Sequence, residues 1–113
     1  MEAGVTEGTG EAMEPSVTEN AEQARFEIRV DGELAGFAQY HRSEEEIAFT
    51  HTETNRRFRG HGLAGRLVSA ALDSAREQDL AVLPYCPFVR GWIAEHPEYA
   101  DLVPESRRED FGL

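Results

Sequence analysis

One stretch of this chain leaves few folds open to it. Glu46 to Thr54 alternates apolar and polar residues and is rich in threonine, the pattern of a half-buried strand. Asn55 to Gly62 is a basic loop with glycines at 60 and 62. Leu63 to Gln78 carries an apolar stripe at Leu63, Leu67, Ala70, Ala71 and Ser74, widened by Val68, Leu72 and Ala75, which predicts an amphipathic helix. Leu80 to Tyr85 is a short apolar run of the kind a buried strand shows, with Pro84 making its end irregular. Two strands joined through a helix in one sheet run parallel, and the crossover is right-handed in about 98% of cases.

The residues on either side extend this unit. Phe26, Ile28 and Val30 alternate with charged residues, Asp31-Gly32 is a hairpin turn signal, and Leu34 to Tyr40 is a second strand antiparallel to the first. His41 to Glu45 reads as a polar loop. On the strand from Glu46 to Thr54, strict alternation puts Ile47, Phe49, His51 and Glu53 on one face and Ala48, Thr50, Thr52 and Thr54 on the other. Phe88 to Glu95 reads as a shorter helix that Pro97 helps to stop, with one more helical turn near Glu105 to Asp110. The expected order is β-β-β-α-β-α, a mixed α/β sheet in which an antiparallel meander joins a parallel pair.

Residues 1–24 carry six glutamates, no basic residue and few large apolar ones, so they are expected to form a disordered acidic tail ahead of a single domain at 25–113. The body holds sixteen acidic and eleven basic residues, and every basic residue is arginine. A net charge of −11 argues against general nucleic-acid binding and favours a cationic partner such as an amine. The local exception is the cluster Arg56, Arg57 and Arg59, which leaves an interaction or nucleic-acid module as a weaker alternative. The single cysteine, Cys86, has no internal disulfide partner, and the four histidines lack metal-site spacing, so no metal is expected. With no secretory pattern and no apolar run near the roughly 18 residues of a membrane helix, a cytoplasmic monomer is the expectation.

The loop from Arg57 to Gly62 has its own chemistry. Glycine lets the backbone turn tightly and approach a ligand without a Cβ in the way. The first turn of the following helix offers free N–H groups and a positive dipole end, a combination suited to a diphosphate. The spacing fits neither a P-loop nor a dinucleotide fingerprint. A plain tight loop with solvated arginines is the alternative.

Arg57-x-x-Gly60-x-Gly62 resembles the Gln/Arg-x-x-Gly-x-Gly/Ala motif of the GNAT superfamily of N-acetyltransferases. Tyr85-Cys86-Pro87-Phe88 and His96-Pro97-Glu98-Tyr99 are similar to segments of its short, stand-alone members, and the resemblance spans about residues 25–104. It implies an acetyl-CoA-dependent N-acetyltransferase acting on an unidentified amine. It also implies a cofactor site in which the amides of Phe58, Arg59, Gly60, His61, Gly62, Leu63 and Ala64 meet the diphosphate, with Arg57 and Arg59 flanking it. The pantetheine arm would run where the parallel strands splay apart. Many members place a tyrosine after the last of these strands as an acid for the CoA thiolate. Here Trp92 and Ile93 occupy that region, so a non-catalytic CoA-binding module is the alternative.

Three residues are candidates for the chemistry. An alkylamine has a pKa of about 10.4 and is mostly protonated at neutral pH, so a base is useful. Glu53 and His51, just before the loop, can serve directly or through water. His51 can equally be a core histidine, and Glu53 a surface or loop-capping carboxylate. Cys86, beside the expected thioester, can be a nucleophile, an acid toward the thiolate, or a small buried hydrophobe.

Overall fold

The structure, a computed structural model, describes residues 14–113. The first element is a strand that the sequence reading missed. β1 (Pro15–Asn20) pairs antiparallel with β2 (Arg25–Val30), with Val17 opposite Ile28 and Glu19 opposite Phe26. The expected acidic tail is therefore corrected at 15–20, and what was expected of residues 1–13 lies outside the described residues. The alternation of Val17 with Ser16 and Thr18 is the strand signal, and the surrounding glutamates hide it in a composition average.

β3 (Glu33–Arg42) and β4 (Glu46–Thr54) continue the meander, and β5 (Ala81–Pro84) adds parallel to β4, giving one five-stranded sheet in the order β1-β2-β3-β4-β5. Asp31 and Gly32 both take positive φ, 52° and 82°, the backbone of a two-residue hairpin turn. β3 runs two residues into the segment expected as loop.

α1 (Leu63–Glu77) makes the crossover. Leu63, Leu67, Val68, Ala71, Leu72 and Ala75 are buried against a sheet face bearing Phe26, Ile28, Val30, Ile47 and Phe49. Burying a Leu or Val side chain is worth about 1.5–3 kcal/mol, so this interface is a principal source of stability. α2 (Pro87–Glu95) follows β5 and starts on a proline, whose missing N–H costs nothing at that position. A 3-10 turn at Pro97–Leu102, the four-residue α3 (Glu105–Arg108) and a 3-10 turn at Glu109–Phe111 complete the chain. The first of these turns is pinned to α1: the Tyr99 hydroxyl lies 2.9 Å from Ser69 Oγ and donates to Asp73 at 3.0 Å, and Arg76 grips both carboxylate oxygens of Asp101.

Two bulges shape the end of the sheet nearest the glycine loop. Ile28 faces Gly36 while Arg29 faces Leu34, so Ala35 is an extra residue in β3. Its carbonyl accepts the Asn55 N–H at 2.6 Å, fixing where β4 hands over to the loop. In β4, Phe49 faces Tyr40 while His51 faces Gln39, which makes Thr50 the extra residue. A bulge resets the side-chain alternation. Ile47 and Phe49 are in the core, whereas His51 and Glu53 are exposed on the opposite face. This corrects the single-face expectation and removes the reading of His51 as a core histidine.

Candidate functional site

The loop between β4 and α1 is built by local rules. Asn55 Oδ1 accepts the Arg57 N–H at 3.0 Å and starts a 3-10 turn over Arg56–Phe58. Gly60 and Gly62 then take φ of 85° and 70°, left-handed backbone that glycine adopts without strain. Space is open where either would carry a Cβ. Gly62 is the N-cap of α1, and the first helical bond runs from the Arg66 N–H to the Gly62 carbonyl. The amides of Leu63, Ala64 and Gly65 therefore precede the hydrogen-bond ladder and are free to bind an anion.

A cavity of about 490 Å³ opens over these amides, lined by Thr54, Phe58, Arg59, Gly60, Gly62, Leu63, Ala64, Gly65, Phe88 and Trp92. Its wall from α2 is aromatic: Phe88 stacks on Trp92, and Trp92 stacks on His96 with ring centroids 3.8 Å apart. Of the residues predicted to meet a cofactor, six line this cavity. His61 is exposed beside it, and the Leu63 side chain is buried in the core so that its backbone is what the loop presents. Arg57 is placed differently. Its guanidinium pairs with Glu33 at the start of β3 and packs over the Phe58 ring. Sequence spacing gave no signal for that pairing, because Glu33 lies 24 residues away.

Below the loop the parallel strands separate. Their register ends at Phe49 opposite Pro84, and the last link is the Cys86 N–H donating to the Phe49 carbonyl at 2.9 Å. From Thr50 to Thr54, β4 has no strand partner on the β5 side among the described residues. Peptide groups on such an edge are available to a ligand's amides. Cys86 sits at the vertex, buried, as the N-cap of α2, with Sγ 3.3 Å from Thr52 Oγ1. His51 Nε2 lies 2.8 Å from Glu53 Oε2, with the Phe37 ring beside His51. Thr52 and its neighbours 51 and 53 point to opposite sides of β4, so the fold groups Cys86 with Thr52 and His51 with Glu53, two clusters rather than one.

Three further features escaped the sequence reading. Gly65 leaves room for the Trp92 ring, since a Cβ there would lie 2.6 Å from it, which fixes how closely α1 and α2 approach. Gly36 likewise admits the Glu53 carbonyl, 2.6 Å from where its Cβ would be. Tyr99, of the His-Pro-Glu-Tyr segment, is held by Ser69 and Asp73, and burial together with the Asp73 carboxylate pushes its phenol above the ordinary value. Both residues lie on the side of α1 that the apolar stripe does not mark. Among the described residues, no group of three or more His, Cys, Asp or Glu side chains converges as metal ligands would. No helix in that span is long and apolar enough to cross a membrane.

A mixed sheet, a glycine-turned loop of free amides and a parallel pair splayed beside it define a GCN5-related N-acetyltransferase fold. The model of that family matches residues 25–102, from β2 through the turn after α2, and the chain belongs to it. Among its relatives is Protein NATD1. The Xenopus tropicalis protein is 28% identical over 93 residues, spanning 77% of this chain and 85% of that one. The human protein is 28% identical over 83 residues, spanning 72% and 74%. The same fold occurs in a GCN5-like protein from Staphylococcus aureus, with TM-score 0.59, 21% identity and coverage of 78% and 86%. It also occurs in N-acetylglutamate synthase from Neisseria gonorrhoeae, solved with coenzyme A and N-acetyl-glutamate, with TM-score 0.53 and 22% identity over 78% of this chain and 22% of that one.

Proposed function

We propose that the protein is an acetyl-CoA-dependent N-acetyltransferase acting on an amine. The observation that carries this reading is the continuity of two surfaces. The free amides at the start of α1 open into a cavity at Thr54, and Thr54 ends the stretch of β4 whose β5-side edge is unpaired. A diphosphate on the amides and an extended amide-bearing arm along that edge fit the two together, and they bring a thioester to the vertex at Cys86. The neisserial synthase, with the same fold and coenzyme A bound, supports the choice of cofactor. Bound acetyl-CoA would supply the activated acetyl group.

The chain's own groups then divide the proton traffic. On the open face, Glu53, hydrogen-bonded to His51, takes a proton from the incoming ammonium and passes it to solvent, leaving a neutral amine as the nucleophile, and then takes the second proton that the nitrogen sheds as the amide forms. As the carbon–sulfur bond breaks, Cys86, held by Thr52, gives its proton to the departing sulfur and regains one from solvent. Removing either group should lower kcat by about 100-fold, the lower end of what positioned acids and bases contribute. The affinity for CoA should stay unchanged. Glu53→Gln and Cys86→Ala, assayed for acetyl transfer to a panel of primary amines with CoA affinity measured in parallel, test this. An acetyl group found on Cys86 by mass spectrometry would contradict the proton-donor role.

A second reading, a CoA-binding module without turnover, draws on the separation of Cys86 from the His51–Glu53 pair across β4. In that case CoA binds and neither substitution changes any measured transfer.

A further inference from the structure

On the side of the sheet opposite α1, strand register builds one compact group. Glu27, Phe37 and Glu53 lie side by side on β2, β3 and β4, and Arg25, Gln39 and His51 form the neighbouring row. β2 and β4 are two strand spacings apart, about 10 Å. Phe37 bridges that gap. The Arg25 guanidinium lies over its ring from the β2 side, 4.7 Å from the centroid, and the His51 ring lies 6.1 Å from it on the β4 side. Arg25 is held firmly: its side chain is 19% exposed, and Nε donates to Glu27 at 2.8 Å. Its two terminal nitrogens donate to no acceptor among the described residues. Arg29 differs, since one terminal nitrogen donates to Glu27 and the other reaches the Gly32 carbonyl. Two guanidinium groups thus share one carboxylate, and one positive charge is left unbalanced at the outer edge of Arg25.

We propose that the acceptor amine is a small amino acid, whose carboxylate binds the outer edge of Arg25 while its ammonium meets Glu53. A guanidinium with two parallel N–H groups unpaired matches a carboxylate, and its fixed plane makes the match directional. Glu53, paired with His51 at 2.8 Å, supplies the opposite charge on the far side of the same ring. The carbons between the two charged ends lie on Phe37. Both ends abut one ring, so the amine and the carboxylate are a few bonds apart. Phe37 and Glu53 also border a cavity of about 230 Å³ with Leu34 and Gly36, room for a short apolar branch and little more. This assignment rests on the acetyl-transfer reading of the site. It leaves the role of Glu53 as stated and adds Arg25 as the group that selects the substrate.

The test compares acetyl transfer to β-alanine and γ-aminobutyrate with transfer to their primary amides, which keep the amine and the size but lack the negative charge. Wild type, Arg25→Gln and Arg29→Gln are assayed, the last removing the other guanidinium from Glu27. The ratio of kcat/KM for each amino acid over its amide should fall about tenfold in Arg25→Gln, the effect of one hydrogen bond between charged groups, and should fall through KM with kcat kept. The ratio should hold in Arg29→Gln, and CoA affinity should hold in both variants. A second measurement needs no variant. In the wild type saturated with CoA, γ-aminobutyrate should move the Arg25 Nε–H signal and the Phe37 amide signal, and its amide at equal concentration should move neither. Ratios unaltered by Arg25→Gln, or an Arg25 signal that stays in place, overturn the assignment and leave transfer to other amines standing. If CoA binds and no amine is acetylated, the transferase reading falls and takes the acceptor with it.

Discussion

Glu27 is the one charged residue buried in the described sheet, and its surroundings show why it is tolerated. Asn20 Nδ2 donates to one carboxylate oxygen at 3.0 Å, Arg25 Nε to the same oxygen at 2.8 Å, and an Arg29 nitrogen to the other at 3.0 Å. These bonds, that from Asn20 foremost, hold its carboxyl below the ordinary value against the opposing effect of burial. A group whose folded pKa is depressed contributes stability that is complete above the unfolded carboxyl value, near 4.3, and that drains away as pH falls through the folded value. Glu27→Gln should therefore cost about 1–2 kcal/mol near neutrality, in line with hydrogen bonds to a charged group. Urea titrations of both proteins from pH 7 to pH 3 should show the gap closing below about pH 4. A gap independent of pH would mean that packing, not charge, sets the cost. None of this was legible from sequence, because Asn20 belongs to a strand hidden in an acidic stretch, and Glu27 looks like any outward residue of an alternating strand.

Between elements, the contact that most directly positions the loop is α1 against α2 at Gly65. The Trp92 ring fills the space a side chain would take and is itself held by stacking on His96 and Phe88. Gly65→Ala gains up to about 1 kcal/mol of helix propensity but must displace a clamped indole, so a net loss of about 1–2 kcal/mol is expected. Gly91→Ala, in α2 with open space at its Cβ position, should instead stabilise by about 0.5–1 kcal/mol. Opposite signs in paired urea denaturations bear out the wedge, and equal signs refute it. The elements themselves were largely legible: β4 and α1 begin and end within a residue of expectation, because periodicity and the two glycines agree there. What periodicity cannot show is a bulge. The extra residue at Thr50 looks like one more member of an alternating run, yet it moves His51 and Glu53 to the other face.

At the scale of the whole molecule, the parallel pair, the crossover helix and the loop followed from local pattern and chain handedness, which is why the architecture was readable. The partners of the site were not. Glu33 for Arg57, Thr52 for Cys86 and Trp92 for Gly65 are all set by tertiary placement between elements. The proposed acetyl transfer requires that the amides opening α1 hold the diphosphate of CoA while its arm lies along the unpaired stretch of β4. Titrating the ¹⁵N-labelled protein with CoA tests it most directly. The amide signals of residues 58–65 and of Thr50 to Thr54 should shift together with one dissociation constant, while those of β1 to β2 that lie away from the loop stay in place. Saturating CoA that leaves the signals of 58–65 unmoved would contradict it.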